Sequence, residues 1–173
     1  GKVRFKSDEN LAYGDYAIYD IDSKILTMTG KALKLIAGND LITAKEQMEY
    51  WEDKQMAVAR GSAIAVREKK EIRANILAAY FKKIPKKGTK IFRVDAFEKV
   101  QVITGQDRAK ANRGVYNVES GIATLTGSVK IIRNKNILQG CSAEINLNTG
   151  ISRLHRCPKG STRVNGTITK KNK

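Results

Sequence analysis

The sequence predicts an all-β fold built from stacked β-hairpins of about 31 residues each. A tyrosine is followed eleven positions later by a glycine in three places: Tyr19 and Gly30, Tyr50 and Gly61, and Tyr116 and Gly127. Between these positions, apolar and β-branched residues alternate with polar ones, which is the period of a strand with one dry face. Copies of a unit that cannot bury its apolar face alone are expected to stack.

Each unit predicts a turn followed by a strand. Polar turns are expected over residues 20–24, 51–55 and 117–121, directly after the tyrosine in each case. A strand then runs through the glycine, as in residues 122–131. Residues 19–41 align with residues 116–138 without a gap, and the matches include the turn serines and both glycines. The first and last units therefore share one architecture.

Tyr80 begins a further unit that departs from the pattern. Glu98 stands where the other units have glycine, after an insertion of seven residues. Lysines crowd this insertion, between Lys82 and Lys90, and they recur in the tail from Lys170 to Lys173. The sequence alone assigns no role to the insertion.

Strand parity predicts one apolar and one polar face. The apolar face carries Leu26, Met28, Ala32, Ala57, Ala59, Ala63, Ala65, Val94, Val100, Val102, Ala123, Leu125, Val129 and Ile131. The polar face carries Thr27, Thr29, Lys31, Arg60, Ser62, Asp95, Lys99, Gln101, Thr124, Thr126, Ser128 and Lys130. The partition blurs at Leu33/Leu35 and Ile64/Val66, where a bulge would switch the face. From the residues alone, a closed and fully packed sandwich core is the favoured interpretation.

The formal net charge of +16 calls for an anionic partner. Nucleic acid, anionic lipid and phosphorylated glycolipid all carry phosphates, and solvated loops and a frayed tail explain the same lysines without any ligand. Aromatic residues are scarce and neither a stacking motif nor a basic helix is visible, which argues against nucleic acid. No apolar run approaches the roughly 20 residues that span a bilayer.

Catalysis has little support in the sequence. His155 is the single histidine, and no Cys/His set, Ser/His/Asp set or metal quartet has the required spacing. Acidic residues such as Asp20, Glu52 and Glu119 fall in predicted turns, where solvation explains them. We expect no enzyme activity, no cofactor and no metal.

Three groups of residues resemble the OstA-like β-jellyroll family. They are residues 113–117, residues 125–131 with 136–140, and the shorter strings 26–30 and 57–61. The resemblance covers roughly Val3 to Leu154, and it is greatest to the soluble bridge members such as LptA. It implies an open, twisted antiparallel β-jellyroll over residues 1–160, followed by a basic tail or last edge strand over 161–173.

The resemblance also implies a function, a location and partners. Family members are non-enzymatic carriers that hold the acyl chains of lipopolysaccharide in a hydrophobic groove, in the periplasm of Gram-negative bacteria. The implied partners are lipopolysaccharide, LptC-like and LptD-like periplasmic jellyroll domains, and further copies stacked head to tail. The implied groove residues are Leu26, Met28, Ala32, Ala63, Ala65, Val100, Val102, Ala123, Leu125, Val129, Ile131 and Ile145.

Two alternatives stay open at this point. A structural β-solenoid that self-assembles through its end strands fits the repeat equally well. A basic nucleic-acid binder fits the charge alone.

The two cysteines are candidates for a disulfide. Asn148-Thr149-Gly150 predicts a three-residue hairpin loop, closed by Leu147 and Ile151. This register places Cys141 directly opposite Cys157, within reach of a disulfide, and an oxidising periplasm would permit the bond. Two free thiols are the alternative.

Overall fold

The computed structural model describes residues 2–7, 10–86, 88–105, 107–134, 136–157 and 165–167. Within these ranges the chain forms fifteen strands in one open antiparallel sheet and no helix, which confirms the predicted fold class. The strands are β1 (Val3–Ser7), β2 (Asn10–Gly14), β3 (Tyr16–Asp20), β4 (Ile25–Thr29), β5 (Leu33–Ala37), β6 (Asp40–Ala44), β7 (Gln47–Trp51), β8 (Met56–Arg67), β9 (Lys70–Ile84), β10 (Gly88–Thr104), β11 (Asp107–Asn117), β12 (Ile122–Arg133), β13 (Asn136–Asn146), β14 (Ser152–His155) and β15 (Asn165–Thr167).

The repeated tyrosines mark the ends of strands. Tyr19, Tyr50 and Tyr116 each lie one residue before the last residue of β3, β7 and β11. Each of these strands is followed by a four-residue turn and an antiparallel partner. Tyr80 differs because β9 continues for four more residues, to Ile84, before the chain turns into β10. The lysine-rich insertion is therefore an extension of the β9–β10 hairpin.

The sheet branches at β8 and so forms two wings. Residues 56–60 of β8 pair with β7, whereas residues 64–67 pair with β6. We call the part that contains β3, β4, β7 and β14 the first wing, and the part that contains β1, β2, β5, β6 and β15 the second wing. Strands β8 to β13 run through both. Interior residues of the two wings form one continuous apolar core.

The wings meet along a row of bends. The pairing register breaks near Gly61 in β8, Glu98 in β10 and Gly127 in β12, as expected at β-bulges. These residues have φ values of 83°, 62° and 78°. At Gly61 a side chain has no room, since an added Cβ would lie 2.4 Å from Glu46 Cγ. Glu98 thus occupies the glycine position that the repeat predicts, in a left-handed conformation that disfavours side chains.

The bends also settle where the apolar face switches. Leu33 and Leu35 are buried after the bend at Gly30, so the predicted switch occurs there. Ile64 and Val66 stay only half-buried, so β8 shows no switch. The switch of the buried face occurs in β9, the strand that pairs with β8. There Leu77 and Ala74 are both buried although they are three residues apart.

The last described strand lies within the segment 161–173. Asn165–Thr167 forms β15 and pairs with residues 137–139 of β13. Residues 158–164 and 168–173 lie outside the described residues, as do parts of the predicted basic tail.

Candidate functional site

A cavity of about 430 Å³ lies between the wings in the N-terminal half of the chain. This volume is in the range of small-molecule sites, roughly 300–1,000 Å³. Its apolar wall on the first wing is made by Leu26, Met28, Met48, Tyr50, Ala57, Ala59 and Phe81. The facing wall on the second wing is made by Phe5, Ala12, Leu35 and Ile42.

The walls follow from strand pairing. Leu26 faces Tyr50 across β4 and β7, and Tyr50 faces Ala57 across β7 and β8. On the second wing Ala12 pairs with Leu35, and Leu35 pairs with Ile42. Since cross-strand partners point to the same side of a sheet, each row forms a continuous apolar strip. The cavity is therefore a cleft between two apolar strips.

The mouth of the cleft, away from the bends, is polar. Asn10 lines it from the second wing, and Tyr19, Glu52, Gln55 and Lys83 line it from the first. Tyr19 Oη donates a hydrogen bond to Glu52 Oε2 at 2.9 Å, and this bond to the carboxylate raises the pKa of Tyr19. An apolar chain with a polar end fits such a site, with the polar end outward.

The lysine-rich insertion reaches this mouth. Lys83 pairs with Thr89 across the extended β9–β10 hairpin, and both line the cavity. Lys82 points to the other face of the strand, where its Nζ lies 3.2 Å from Glu119 Oε2 and 5.8 Å from the centre of the Phe92 ring. Lys82 and Lys83 therefore lie on opposite faces of the first wing.

The C-terminal half of the interior is filled rather than open. The cavities among its residues measure only about 30, 10 and 10 Å³. The turn between β13 and β14 spans the mouth there: Asn148 Oδ1 accepts a hydrogen bond from Lys70 Nζ at 2.6 Å, and Gly150 O accepts one from Arg133 Nη2 at 2.7 Å. We call these two contacts the clasp, because they join the tips of the two wings.

Buried residues line the interior near the clasp. Tyr116 and Leu147 are buried beside Arg67, which pairs with Asp40. Burial raises the pKa of Tyr116, and the neighbouring Arg67 opposes this rise. The hydrogen bond to Asp40 raises the pKa of Arg67.

The residues expected in the groove fall into three groups. Leu26 and Met28 line the large cavity. Ala32 is exposed in the bend before β5 and does not belong to the interior, because the bend at Gly30 turns it outward; this expectation is wrong. Packed interior positions, all outside the large cavity, are Ala63, Ala65, Val100, Val102, Ala123, Leu125, Val129, Ile131 and Ile145, of which Ala65 is half-buried.

Sequence reasoning missed much of the cavity wall. Met48, Leu35 and Ile42 line it and were not among the expected groove residues. The alternation in β7 could have identified Met48 as an inward-facing residue, because the apolar residues Met48 and Tyr50 flank the charged Glu49. Which apolar strip faces an empty space depends on the distance between the wings, and no local pattern encodes that distance.

Two buried carboxylates, Glu49 and Asp95, have the opposite strand parity to the inward-facing apolar residues, and Glu49 also borders the large cavity. Glu49 accepts hydrogen bonds from Trp51 Nε1 at 2.7 Å, Gln47 Nε2 at 2.8 Å and Arg60 Nε at 3.0 Å. Asp95 belongs to the polar face, as predicted, but it is only 2% exposed. Its partner Arg93 also lies 5.3 Å from the centre of the Tyr80 ring. These acids are satisfied within the sheet and serve its structure.

Cys141 and Cys157 form a disulfide, with a Cα–Cα distance of 5.1 Å. The register behind the prediction is wrong by one residue: Ile145 pairs with Ser152, and β14 ends at His155. Asn146 closes a four-residue turn with Ile151, because its side-chain Oδ1 accepts hydrogen bonds from the amides of residues 148 and 149. Cys157 reaches its partner from beyond the strand, and Gly150 has the expected positive φ of 74°.

The described ranges hold neither a metal-binding cluster nor a membrane-spanning helix. No three His, Cys, Asp or Glu side chains cluster there in a way that could hold a metal ion. The same residues include no helix long and apolar enough to cross a bilayer.

Residues 41–151, more than half of the chain, match the family described as LptA/(LptD N-terminal domain) LPS transport protein. No curated protein matches the chain at a significant level. Among solved structures, the chain is similar to LptH from Pseudomonas aeruginosa, described as the LptA homologous periplasmic component of the conserved lipopolysaccharide transport device. The two chains are 15% identical with a TM-score of 0.40, over 93% of this chain and 95% of that one.

Proposed function

This chain belongs to the LptA/LptD N-terminal-domain family of lipopolysaccharide-transport proteins, and on that premise we propose that it is a non-enzymatic lipid carrier. Membership of this family supports a role in lipopolysaccharide transport. The proposal adds the mode of action: the N-terminal cavity holds acyl chains, and the protein passes the lipid across the periplasm of a Gram-negative bacterium to the outer membrane.

The cleft between the two apolar strips is the observation that carries the proposal. Each methylene that leaves water for such a cleft contributes on the order of 0.8 kcal/mol. Contacts of Met28, Met48 and Leu35 with a chain are graded and non-directional, so they permit sliding. Fixed hydrogen bonds along the walls would hinder that motion. A packed core without a cleft would offer no such path.

The rim supplies the cation for a phosphorylated head group. Lys83 lines the mouth from the extended hairpin, and charge-assisted hydrogen bonds between lysine and phosphate are among the stronger ones. The role of the lysine-rich insertion in this proposal is to bring Lys83 to the mouth, because without the insertion β9 would end before Lys83.

Passage of the lipid would require the clasp to open. The C-terminal interior has no space for a chain while Asn148 and Gly150 hold Lys70 and Arg133. Each contact is a single exposed hydrogen bond, worth about 0.5–1.5 kcal/mol. A longer chain that pushes two or three further methylenes from water into the interior could offset this small stabilisation.

Neighbouring jellyroll domains would extend the path at both ends. On the N-terminal side, β3 is an edge strand with all five side chains exposed, including Ile18 at 73%. Unpaired edges accept further strands, and β14 and β15 lie at the C-terminal side. We propose LptC-like and LptD-like domains and further copies of this chain, stacked head to tail, as partners.

Photo-crosslinking to purified lipopolysaccharide tests the carrier. A photoreactive residue in place of Met28 should label lipid, because this side chain lines the cavity. The same residue in place of Thr29, exposed on the other face of β4, is the matched control and should not. Equal labelling at both positions, or labelling at position 29 alone, would contradict the assignment.

A purely structural assembly is the second candidate. The exposed side chains of β3 favour it, because an apolar edge strand invites strand addition by another copy. Filaments that grow with protein concentration, together with no measurable lipid binding, would favour this function over the carrier.

A further inference from the structure

One polar atom in the N-terminal cavity has no hydrogen-bond partner. Asn10 Oδ1 is buried and unpartnered, the one side-chain atom of this kind in the described part of the chain. Asn10 begins β2, where it pairs with Ala37 of β5, and its side chain lines the cavity. It lies one step outward from Ala12, which belongs to the apolar strip of the second wing.

An unpartnered acceptor of this kind is unfavourable in the empty protein. A buried polar group without its hydrogen bond costs about 1–3 kcal/mol, and most such atoms in folded proteins have a partner. The neighbouring polar groups do not fill the role: the Tyr19 hydroxyl, which also lines the mouth, already donates to Glu52. The lining of the cavity thus includes an unpartnered acceptor at the boundary between its apolar walls and its polar mouth.

We infer that Asn10 recognises a hydrogen-bond donor, a hydroxyl or amide N–H, close to the polar head of the acyl chain bound in the cavity. This inference rests on the proposed lipid-carrier function and narrows its ligand. A chain whose methylenes fill the strips around Met28 and Leu35 leaves its first few carbons beside Asn10 at the mouth. A donor at this point satisfies Oδ1, whereas a plain alkyl chain leaves it buried and unsatisfied.

The test compares two ligands that differ by one hydroxyl. Isothermal titration calorimetry, below the micelle-forming concentration, measures binding of tetradecanoate and of 3-hydroxytetradecanoate, whose hydroxyl lies next to the head. The wild-type protein should bind the hydroxylated acid about threefold to tenfold more tightly, as expected for one hydrogen bond. Asn10→Leu, which replaces the amide by an apolar group of similar shape, should abolish this preference and bind tetradecanoate at least as tightly as wild type.

The possible results distinguish a failure of the inference on Asn10 from a failure of the proposed lipid-carrier function. Asn39→Leu, in the exposed turn between β5 and β6, is the control and should keep the wild-type preference. Equal affinity of the wild type for both acids overturns the role of Asn10 and leaves the carrier intact. No binding of either acid overturns the carrier itself, and the inference with it. If Asn10→Leu does not fold, the wild-type comparison alone decides.

Discussion

Asp95 and Arg93 form a two-point ion pair on the face of the first wing that points away from the cavity. Asp95 Oδ1 and Oδ2 lie 2.6 and 2.7 Å from Arg93 Nε and Nη2. The carboxylate is 2% exposed, while the arginine side chain is 43% exposed. The hydrogen bond to Asp95 raises the pKa of Arg93. Asp95 pairs with Ala78 and Val115 on the two neighbouring strands.

Asp95→Asn should lower the free energy of unfolding by about 1–3 kcal/mol, because a buried charge-assisted pair is lost. Denaturant unfolding measures the change. Glu71→Gln is the matched control, since Glu71 pairs with Arg73 at the same spacing but in a more exposed setting. The control should cost less than about 1 kcal/mol. Equal losses in both variants would contradict the importance of burial at Asp95.

Lys83→Ala should weaken binding of lipopolysaccharide by about twofold to fivefold, as expected for one exposed ion pair. Fluorescence titration at low salt measures it, and added salt should reduce the difference because it screens the charge. Lys82→Ala removes the same charge from the other face of β9, where the lysine contacts Glu119, and should leave the affinity unchanged. If the two variants behave alike, overall charge rather than the cavity mouth sets the affinity.

Lys70→Ala should loosen the clasp by removing the hydrogen bond to Asn148. Hydrogen exchange at the amide of Leu147, which donates to Gly121 O at 2.8 Å, should rise by about twofold to tenfold. Lys69→Ala, in the adjacent exposed turn, is the control and should leave this amide unaffected. Unchanged exchange in Lys70→Ala would mean that packing of Leu147, rather than the clasp, closes the C-terminal interior.

Glu98→Gly should raise the free energy of unfolding by about 0.5–1 kcal/mol, because glycine tolerates the φ of 62° at this bend. The reverse change at the equivalent bend, Gly61→Ala, should be destabilising, since its Cβ would collide with Glu46. Thermal unfolding measures both. A loss of stability in Glu98→Gly would show that the hydrogen bond from Asn75 Nδ2 to Glu98 Oε2, 2.9 Å long, outweighs the strain.

The Cys141–Cys157 disulfide should make the oxidised protein lighter than the reduced one by two hydrogens in a mass measurement. Cys157→Ser should lower the free energy of unfolding by about 2–3 kcal/mol, as expected for a loop of roughly 15 residues. Because β14 lies far along the sheet from β3 and β4, lipid labelling at position 28 should remain. Loss of that labelling would link the disulfide to the cavity.

Local pattern accounted for the strands and the turns. Alternation around Leu125 predicted a buried residue, and the repeat put Glu98 at the glycine position, where the structure has a bend. These features depend on residues within a single hairpin, so they can be predicted from the local sequence. Ala32 and the Cys141 register were misjudged because a bend and a side-chain-capped turn each shift the chain by about one residue.

By itself the sequence determined which residues face inward, because a period of two is written into each strand. Only the tertiary structure decided which inward residues border open space. Met28 and Leu125 occupy equivalent places in their repeats, yet the first lines a cavity of about 430 Å³ and the second lies in packed core. The physical reason is the separation of the wings, which the clasp closes at one end, and residues distant along the chain, such as Lys70 and Asn148, make that contact.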